Sequence, residues 1–337
     1  MYFSLLITNN LAVKFRLVLV ILLYVTNNFS QVEYYPVGED ASVNFNFTNK
    51  FAIDKAILFE AKPVVRYSIY NNIRERLLVD SIKKASTVYA IFSPHLRMYN
   101  ENSAPVRMPS YKIALGFQHV WKLRSHAKEN HNMITFSFEN GHYSNGQSGC
   151  AFSSDFTDNS VPCNNIYQTV INNQNINLTE LLNRENGHFQ TNFSRLFLNH
   201  RFNTKSKNSI SYSFGYSLYH KNMFLFLNLG GYSNNDIQIY GKHRFYLDAE
   251  YSFKIFKSAY GVLEQKFAFI NVAHQSITNY RSNTSFSVYP FKITRNFGFK
   301  LAYIKGFDDY NLRFVDNVDQ LTLGVVFSPF GIFSFDN

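Results

Sequence analysis

The sequence has only one long apolar run, and this scarcity limits how the chain could cross a membrane. The run Leu17–Val25 has nine apolar residues, about half of the roughly 20 that a membrane-spanning helix needs. Lys14 and Arg16 precede it and a polar stretch follows, which is the layout of a secretory signal peptide, predicted here as residues 1–31. The remainder is therefore predicted to be either soluble or a β-barrel, whose alternating strands build no hydropathy peak.

Cysteine, proline and linker sequence are also scarce. The chain has 8 prolines, and no stretch rich in Pro, Gly or Ser divides it, so we expect one folded body after the signal peptide. Its 2 cysteines, Cys150 and Cys163, lie in one polar stretch. In a secreted chain this pattern predicts a disulfide. A metal pair is disfavoured because no further Cys or His ligands stand at a useful spacing.

The sequence also lacks any motif of nucleic-acid recognition, although its formal net charge is +10. The 33 Lys and Arg residues are spread along the chain instead of forming a patch. We therefore expect no nucleic-acid partner. Solvated or lumenal positions explain these charges better, and an anionic lipid surface is a natural partner for a basic protein.

Aromatic residues are abundant, at 18% of the chain, and apolar residues alternate with polar ones. In Ser209–Tyr219 large apolar side chains alternate with Ser and Gly, and Phe245–Ile255 places Asp, Glu and Lys on its second face. Those charges need water or a polar lumen. We predict an all-β fold, an antiparallel transmembrane β-barrel of about 12 strands of the outer-membrane type, spanning residues 88–337. Residues 32–87 are predicted as an N-terminal segment, plug-like or with early strand(s), and a strand is also predicted at Phe224–Gly231.

Candidate chemistry begins on the predicted strand Met133–Ser144. Its even positions are mostly apolar and are predicted to face lipid, and His142 and Ser144 share that face near the end of the strand. Side chains two residues apart on a strand point the same way, with Cα atoms roughly 6.5 to 7 Å apart. We predict that His142 is the base that activates Ser144 as a nucleophile.

A third group has to orient the imidazole. The returning strand, Phe189–Phe202, carries Asn192 on its predicted lipid face and near its start, at the same membrane level as His142. Asn199 is predicted to point inward, further from the loop. Asn192 is therefore the predicted orienting residue, with Asn199 as the alternative if a bulge reverses the alternation.

A lone His-x-Ser is usually a solvated turn, but here it is accompanied by a second segment. Gly141-His-Tyr-Ser-Asn-Gly-Gln147 resembles the His-x-Ser-Asn-Gly motif of the outer-membrane phospholipase A family. The segment from Glu101 to Phe117 is similar to that family's Ser-x-Pro-x-Arg stretch, which leads through a Tyr into a strand ending Leu-Gly-Phe. Two matches in the correct order are far more specific than one.

The resemblance implies a 12-stranded barrel in the bacterial outer membrane that hydrolyses acyl esters of phospholipids as a phospholipase A1/A2. Ser144 would be the nucleophile, His142 the base and Asn192 its partner. Backbone groups of Ser144 and Gly146 would stabilise the oxyanion. It further implies a homodimer when active and a Ca²⁺ cofactor, with Ser103 and the carbonyl of Gln147 as ligands.

One departure from the family pattern concerns the connection between the two strands, which here exceeds 40 residues and contains Cys150 and Cys163. Two alternative interpretations accept the β-barrel fold but not the hydrolase activity. A porin-like or structural barrel predicts that His142, Ser144 and Asn192 diverge and that the lumen is open. An adhesin barrel, using the Asn-rich loop 145–187, predicts a function independent of Ser144.

Overall fold

The computed structural model describes residues 35–49, 57–79, 81–100, 106, 108–123, 132–204, 208–224, 227, 230–256, 259–271, 273–290, 297–312 and 314–327. The predicted signal peptide (residues 1–31) and Ser103 lie outside these residues. The described part of the chain forms one antiparallel sheet of 13 strands. The strands are β1 Ala41–Asn49, β2 Ile57–Lys62, β3 Val65–Asn71, β4 Lys84–Tyr99, β5 Ser110–Lys122, β6 Asn132–Ser144, β7 Gln190–Asn203, β8 Ser209–His220, β9 His243–Lys254, β10 Tyr260–Asn271, β11 Tyr280–Tyr289, β12 Phe297–Phe307 and β13 Asn317–Phe327.

The sheet closes on itself. Each strand from β4 to β13 pairs with its sequence neighbour, β13 pairs with β1, and β1 pairs with β2. The β2 and β3 strands, separated by Pro63 and Val64, both pair with β4, at its end and its beginning respectively. They therefore act as two halves of one interrupted strand, and the closed barrel has 12 positions, as predicted.

Side-chain alternation separates an apolar outer wall from a polar interior. On β5 the outward residues Tyr111, Ile113 and Leu115 are exposed, while their neighbours on the strand face inward and are buried. The same alternation recurs on β12, where Phe299, Leu301 and Tyr303 are exposed, and such an outer belt matches the hydrocarbon of a bilayer. No helix among the described residues is long and apolar enough to cross a membrane.

The predicted division of the chain at residue 88 differs from the structure. Three strands of the sheet, β1 to β3, lie within residues 41–71. The segment Tyr35–Asp40 precedes them and contacts lumenal groups, for example through Glu39, which accepts hydrogen bonds from Lys112 and Arg195. Among the described residues, the first strand of the barrel is therefore β1, which begins at Ala41. Interruption at Pro63 and several Asn residues obscure the alternation of these strands in the sequence.

Charged side chains fill the lumen around a polar cavity of about 360 Å³. Among the described residues that line it, eight are acidic and eight are basic. Many are paired with each other, such as Arg201 of β7 with Glu250 of β9 at 2.9 Å and Lys266 with Glu264, two residues away on β10, at 2.6 Å. The lining is therefore balanced in charge, and it holds no excess of either sign that would draw ions through.

Connections at one end of the barrel, here called the upper end, pack into a cap. The upper end is the one at which β6 ends and β7 begins. The cap consists of residues 145–189 together with parts of the later upper connections, and it contains helices α2 Val161–Asn172, α3 Leu178–Leu181 and α4 Asn234–Tyr240. A shorter helix, α1 Ile73–Leu78, lies at the lower end between β3 and β4.

The cap has its own apolar core. Phe152 meets Tyr167 edge to face and stacks on Tyr240 there, and Tyr143 and Phe193 extend the same cluster down from the strands. Buried apolar packing of this kind is what orders a long connection. The upper mouth of the barrel is thus covered by folded protein.

Candidate active site

The two strands β6 and β7 bring the predicted site residues together. They pair without a bulge, so that His142 lies directly opposite Asn192 and Ser144 directly opposite Gln190. All three site side chains lie on the outward face, which they share with exposed residues such as Leu196 and Leu198. Because Ser144 is the last residue of β6, the group lies at the upper rim of the outer wall.

His142 and Asn192 are hydrogen bonded. His142 Nδ1 lies 2.9 Å from Asn192 Oδ1. Asn192 is fully buried and His142 is partly exposed. The Asn192 amide nitrogen donates to main-chain carbonyls, at 2.5 Å to Lys221 and 2.9 Å to Gly230, and this assigns the oxygen to the His142 side. An amide oxygen only accepts, so Nδ1 carries the proton and Nε2 is left as an acceptor.

Asn199, the alternative orienting residue, lies elsewhere. It is opposite Thr135, seven positions along β7 from Asn192. Its side chain points inward and donates to Ser211 Oγ at 2.7 Å and Ser213 Oγ at 2.9 Å. The structure therefore does not bring Asn199 to His142.

Ser144 leads into a tight turn. The N–H of Gly146 donates to Ser144 Oγ at 3.0 Å, and within the described residues Ser144 makes no hydrogen bond to His142. Gly146 has φ +66° with open space around the position of a Cβ. A glycine is favoured there because of its backbone conformation, which costs other residues roughly 1–2 kcal/mol. Gly146 N–H thus lies beside the oxygen that would attack a substrate.

Asn145 connects the two strands at the base of this turn. Its Oδ1 accepts from Phe189 N at 3.0 Å and its Nδ2 donates to Gly187 O at 2.8 Å. The side chain is buried, and the bonds hold the end of β6 beside the start of β7. Asn145 was not singled out from the sequence, although it lies within the motif that resembles the family.

The cap begins directly at this turn. Cys150 and Cys163 are joined by a disulfide, and Cys163 N donates to Ser160 Oγ, which caps helix α2. Asn183 Nδ2 donates to Cys150 O at 3.0 Å, which links the two ends of the long connection. The departure from the family pattern is thus an ordered structure and not an open loop.

The two predicted calcium ligands do not form a site within the described residues. Ser103 lies outside them. The carbonyl of Gln147 accepts a hydrogen bond from His188 Nδ1, and His188 Nε2 lies 3.8 Å from Asp158. This hydrogen bond uses one of the two lone pairs of the Gln147 carbonyl and leaves the other available to a cation.

A different group of possible ligands lies inside the barrel. Ligand atoms of Glu60, His95 and Asp309 are all within 4.8 Å of one another. Their carboxylates are already paired, since Arg97 Nε lies 2.9 Å from Glu60 and Lys62 Nζ lies 3.0 Å from Asp309. Burial would raise the pKa of Asp309, but Arg281 and Lys62 outweigh it and hold that pKa below its usual range. The group is an ion-pair network.

Fold and site together define a class: an outer-membrane β-barrel protein with a serine, a histidine and an asparagine grouped on its outer wall. No family model and no curated protein matches the sequence. Solved structures of similar fold include outer membrane phospholipase A from Escherichia coli, at 10% identity and TM-score 0.47, covering 90% of this chain and 96% of that one.

The outer membrane phospholipase dimer with bound calcium from Salmonella typhi matches at 9% identity and TM-score 0.44, covering 90% of this chain and 96% of that one. The β domain of the Bordetella autotransporter BrkA matches at 8% identity and TM-score 0.33, covering 86% of this chain and all of that one.

Proposed function

We propose that this protein is a phospholipase A that hydrolyses acyl ester bonds of glycerophospholipids at the upper rim of its outer wall. The observation that carries the proposal is the pairing of His142 Nδ1 with Asn192 Oδ1 at 2.9 Å. Ser144 lies two positions further along the same face. This arrangement contains the nucleophile, base and orienting group of a serine hydrolase.

The proposed reaction assigns one step to each of these groups. Ser144 Oγ attacks the ester carbonyl carbon while His142 Nε2 takes its proton, and Asn192 accepts from the imidazolium that results. The carbonyl oxygen becomes an oxyanion beside Gly146 N–H and the N–H of Ser144. Collapse expels the glyceryl oxygen, which takes the proton from His142 and leaves as a lysophospholipid. Water then attacks the acyl-enzyme in the same way, and the fatty acid leaves.

The position of the group favours a lipid substrate. Its neighbours on the outer wall are apolar and exposed, as Leu196 and Ile113 illustrate, and the site stands at the rim where a lipid ester meets water. A neutral Asn in place of a carboxylate avoids placing a full charge beside hydrocarbon. A water-soluble ester could reach a serine at any exposed position of a protein, whereas a lipid in the bilayer can reach only the outer wall of the barrel.

The structure favours the hydrolase over a diffusion pore. The porin hypothesis predicts diverging site residues and an open lumen. Instead His142 and Asn192 are hydrogen bonded, the lumen lining is balanced in charge, and the cap core covers the upper mouth. An adhesin function would use the exposed surface of the cap and would not need Ser144.

The mechanism above uses only groups of this chain. Calcium activation and homodimerisation are implied by the family resemblance, with Ser103 and the carbonyl of Gln147 as the implied calcium ligands. The dimer is tested directly by chemical cross-linking in bilayers with and without substrate analogue. A chelator tests the ion separately, so neither outcome decides the serine mechanism.

The experiment is fatty-acid release from mixed detergent and phospholipid micelles by the refolded full chain. We expect Ser144→Ala to lose on the order of 10⁴-fold or more in kcat. A hydrogen bond to a charged imidazolium contributes about 1.5–3 kcal/mol, so Asn192→Ala should lose roughly 10- to 150-fold. Ser282→Ala, on the outer wall of β11, is the matched control and should keep full activity. Release by Ser144→Ala at the wild-type rate would overturn the proposal.

A further inference from the structure

The amide of Asn192 is held at both of its ends. Its oxygen accepts from His142 Nδ1 at 2.9 Å, and its nitrogen donates to the carbonyls of Lys221 and Gly230, at 2.5 and 2.9 Å. Both carbonyls come from the connection between β8 and α4. We call these two carbonyl oxygens the carbonyl clamp. The clamp accepts hydrogen bonds and can offer none.

The two carbonyls belong to residues nine apart, and a close backbone approach brings them together. A Cβ added at Gly231 would lie 1.9 Å from Lys221 O. Only glycine at position 231 therefore lets the two ends of this connection approach each other without a shift of the main chain. Met223 and Leu227 close the same connection through reciprocal main-chain hydrogen bonds of 2.8 Å.

A chain of polar side chains fixes the connection to the outer wall. Phe224 N donates to Asn140 Oδ1 at 3.1 Å, and Asn140 Nδ2 donates to Ser194 Oγ at 2.8 Å. Ser194 Oγ in turn lies 2.9 Å from His220 Nε2, at the end of β8. The clamp is therefore attached to β6 and β7, which carry the site, and to the end of β8.

We propose that the carbonyl clamp requires an amide at position 192 and that Gly231 is a positioning residue for the reaction. This inference rests on the proposed function. An aspartate would keep an acceptor for His142, but its second oxygen would face two carbonyl oxygens with no proton between them. The clamp would lose both of its donors and would repel the carboxylate. The charged partner common in serine hydrolases is thus excluded by the main chain of a neighbouring connection.

The test is a double-mutant cycle of Asn192→Asp and Gly231→Ala. Asn192→Asp alone should lower kcat by at least about 100-fold with little change in KM, because two buried hydrogen bonds are lost and His142 is displaced. Gly231→Ala shifts Lys221 O away, so the Asp substitution should cost at least tenfold less in that background. Gly324→Ala is the matched control, since its Cβ would lie 2.1 Å from a carbonyl, Val43 O, on a remote strand pair. It should leave the cost of Asn192→Asp unchanged.

Equal costs of Asn192→Asp in the wild-type and Gly231→Ala backgrounds would overturn the inference. If Gly231→Ala does not fold, Asn140→Ala replaces it, because it releases Phe224 N without a backbone clash. If the wild type releases no fatty acid, the proposed function fails, and the same cycle is then measured by urea unfolding. A lower unfolding midpoint for Asn192→Asp that is relieved by Gly231→Ala supports the clamp independently of activity. Additive midpoint shifts would refute it.

Discussion

Arg97 is the best place to test how the lumenal charges stabilise the barrel. Its side chain is fully buried, and its guanidinium contacts Asp308 at 2.6 and 2.8 Å and Glu60 at 2.9 Å. It also lies 4.6 Å from the ring centre of Tyr310. Arg97→Met would leave the volume filled and two carboxylates without this partner. Removing one member of a buried ion pair costs about 3–5 kcal/mol.

A matched control separates burial from charge. Arg201 contacts Glu250 at 2.9 Å, but 15% and 26% of their side chains are exposed to solvent, and pairs accessible to water contribute about 0–1 kcal/mol. The expected difference in the free energy of unfolding between Arg97→Met and Arg201→Met is therefore roughly 2–5 kcal/mol.

Urea unfolding in phospholipid bilayers measures both variants, with fluorescence of Trp121, the only tryptophan of the chain, as the probe. The slope of the transition should stay constant, because the surface exposed on unfolding is nearly unchanged. Equal destabilisation by the two substitutions would refute the argument, since burial would then have no influence on the strength of the pair.

Three further predictions concern the cap and the turn. Replacing Cys150 and Cys163 by Ser removes a 13-residue cross-link worth roughly 3 kcal/mol, so proteolysis of the cap should accelerate while the barrel stays folded; unchanged proteolysis would argue against the cross-link. Burial raises the pKa of Asp236, so its contribution to cap stability is present at low pH and is lost as pH rises through that raised pKa. Asp236→Asn should flatten the pH dependence of the proteolysis rate, and an unaltered curve would contradict this. If the Gln147 carbonyl is a calcium ligand, as the family resemblance implies, chelation should lower fatty-acid release by about tenfold or more, and an unchanged rate would remove calcium from the mechanism.

The barrel itself follows from alternation that is visible in the sequence. The predicted strand Met133–Ser144 is observed as Asn132–Ser144, and Phe189–Phe202 is observed as Gln190–Asn203. The predicted and observed strands agree in which side chains face outward, because one face of each strand meets lipid and the other meets the lumen. A slip of one residue would turn every side chain of the strand to the opposite face. The relative level of His142 and Asn192 could be estimated for the same reason.

Other parts of the fold and of the site could not be predicted from the sequence. The predicted strand at Phe224–Gly231 is not observed at its described residues, Phe224, Leu227, Gly230 and Gly231, which belong to the clamped connection; its other residues lie outside the described part of the chain. Main-chain carbonyls such as that of Lys221 bear no side-chain signature at all. Ion pairs across the lumen, such as Arg97 with Asp308 at a separation of 211 residues, depend on closure of the whole barrel, which no local pattern specifies.

Because β6 and β7 pair without a bulge, the site does not depend on an unbroken chain between these two strands. His142 meets Asn192 through the strand ladder, not through the chain that runs between them. A polypeptide cut in the exposed turn at residues 173–175 should therefore still yield two fragments that recombine into an intact site, because each fragment retains one strand of the pair. The length and sequence of the intervening segment can then diverge between homologues without moving either residue.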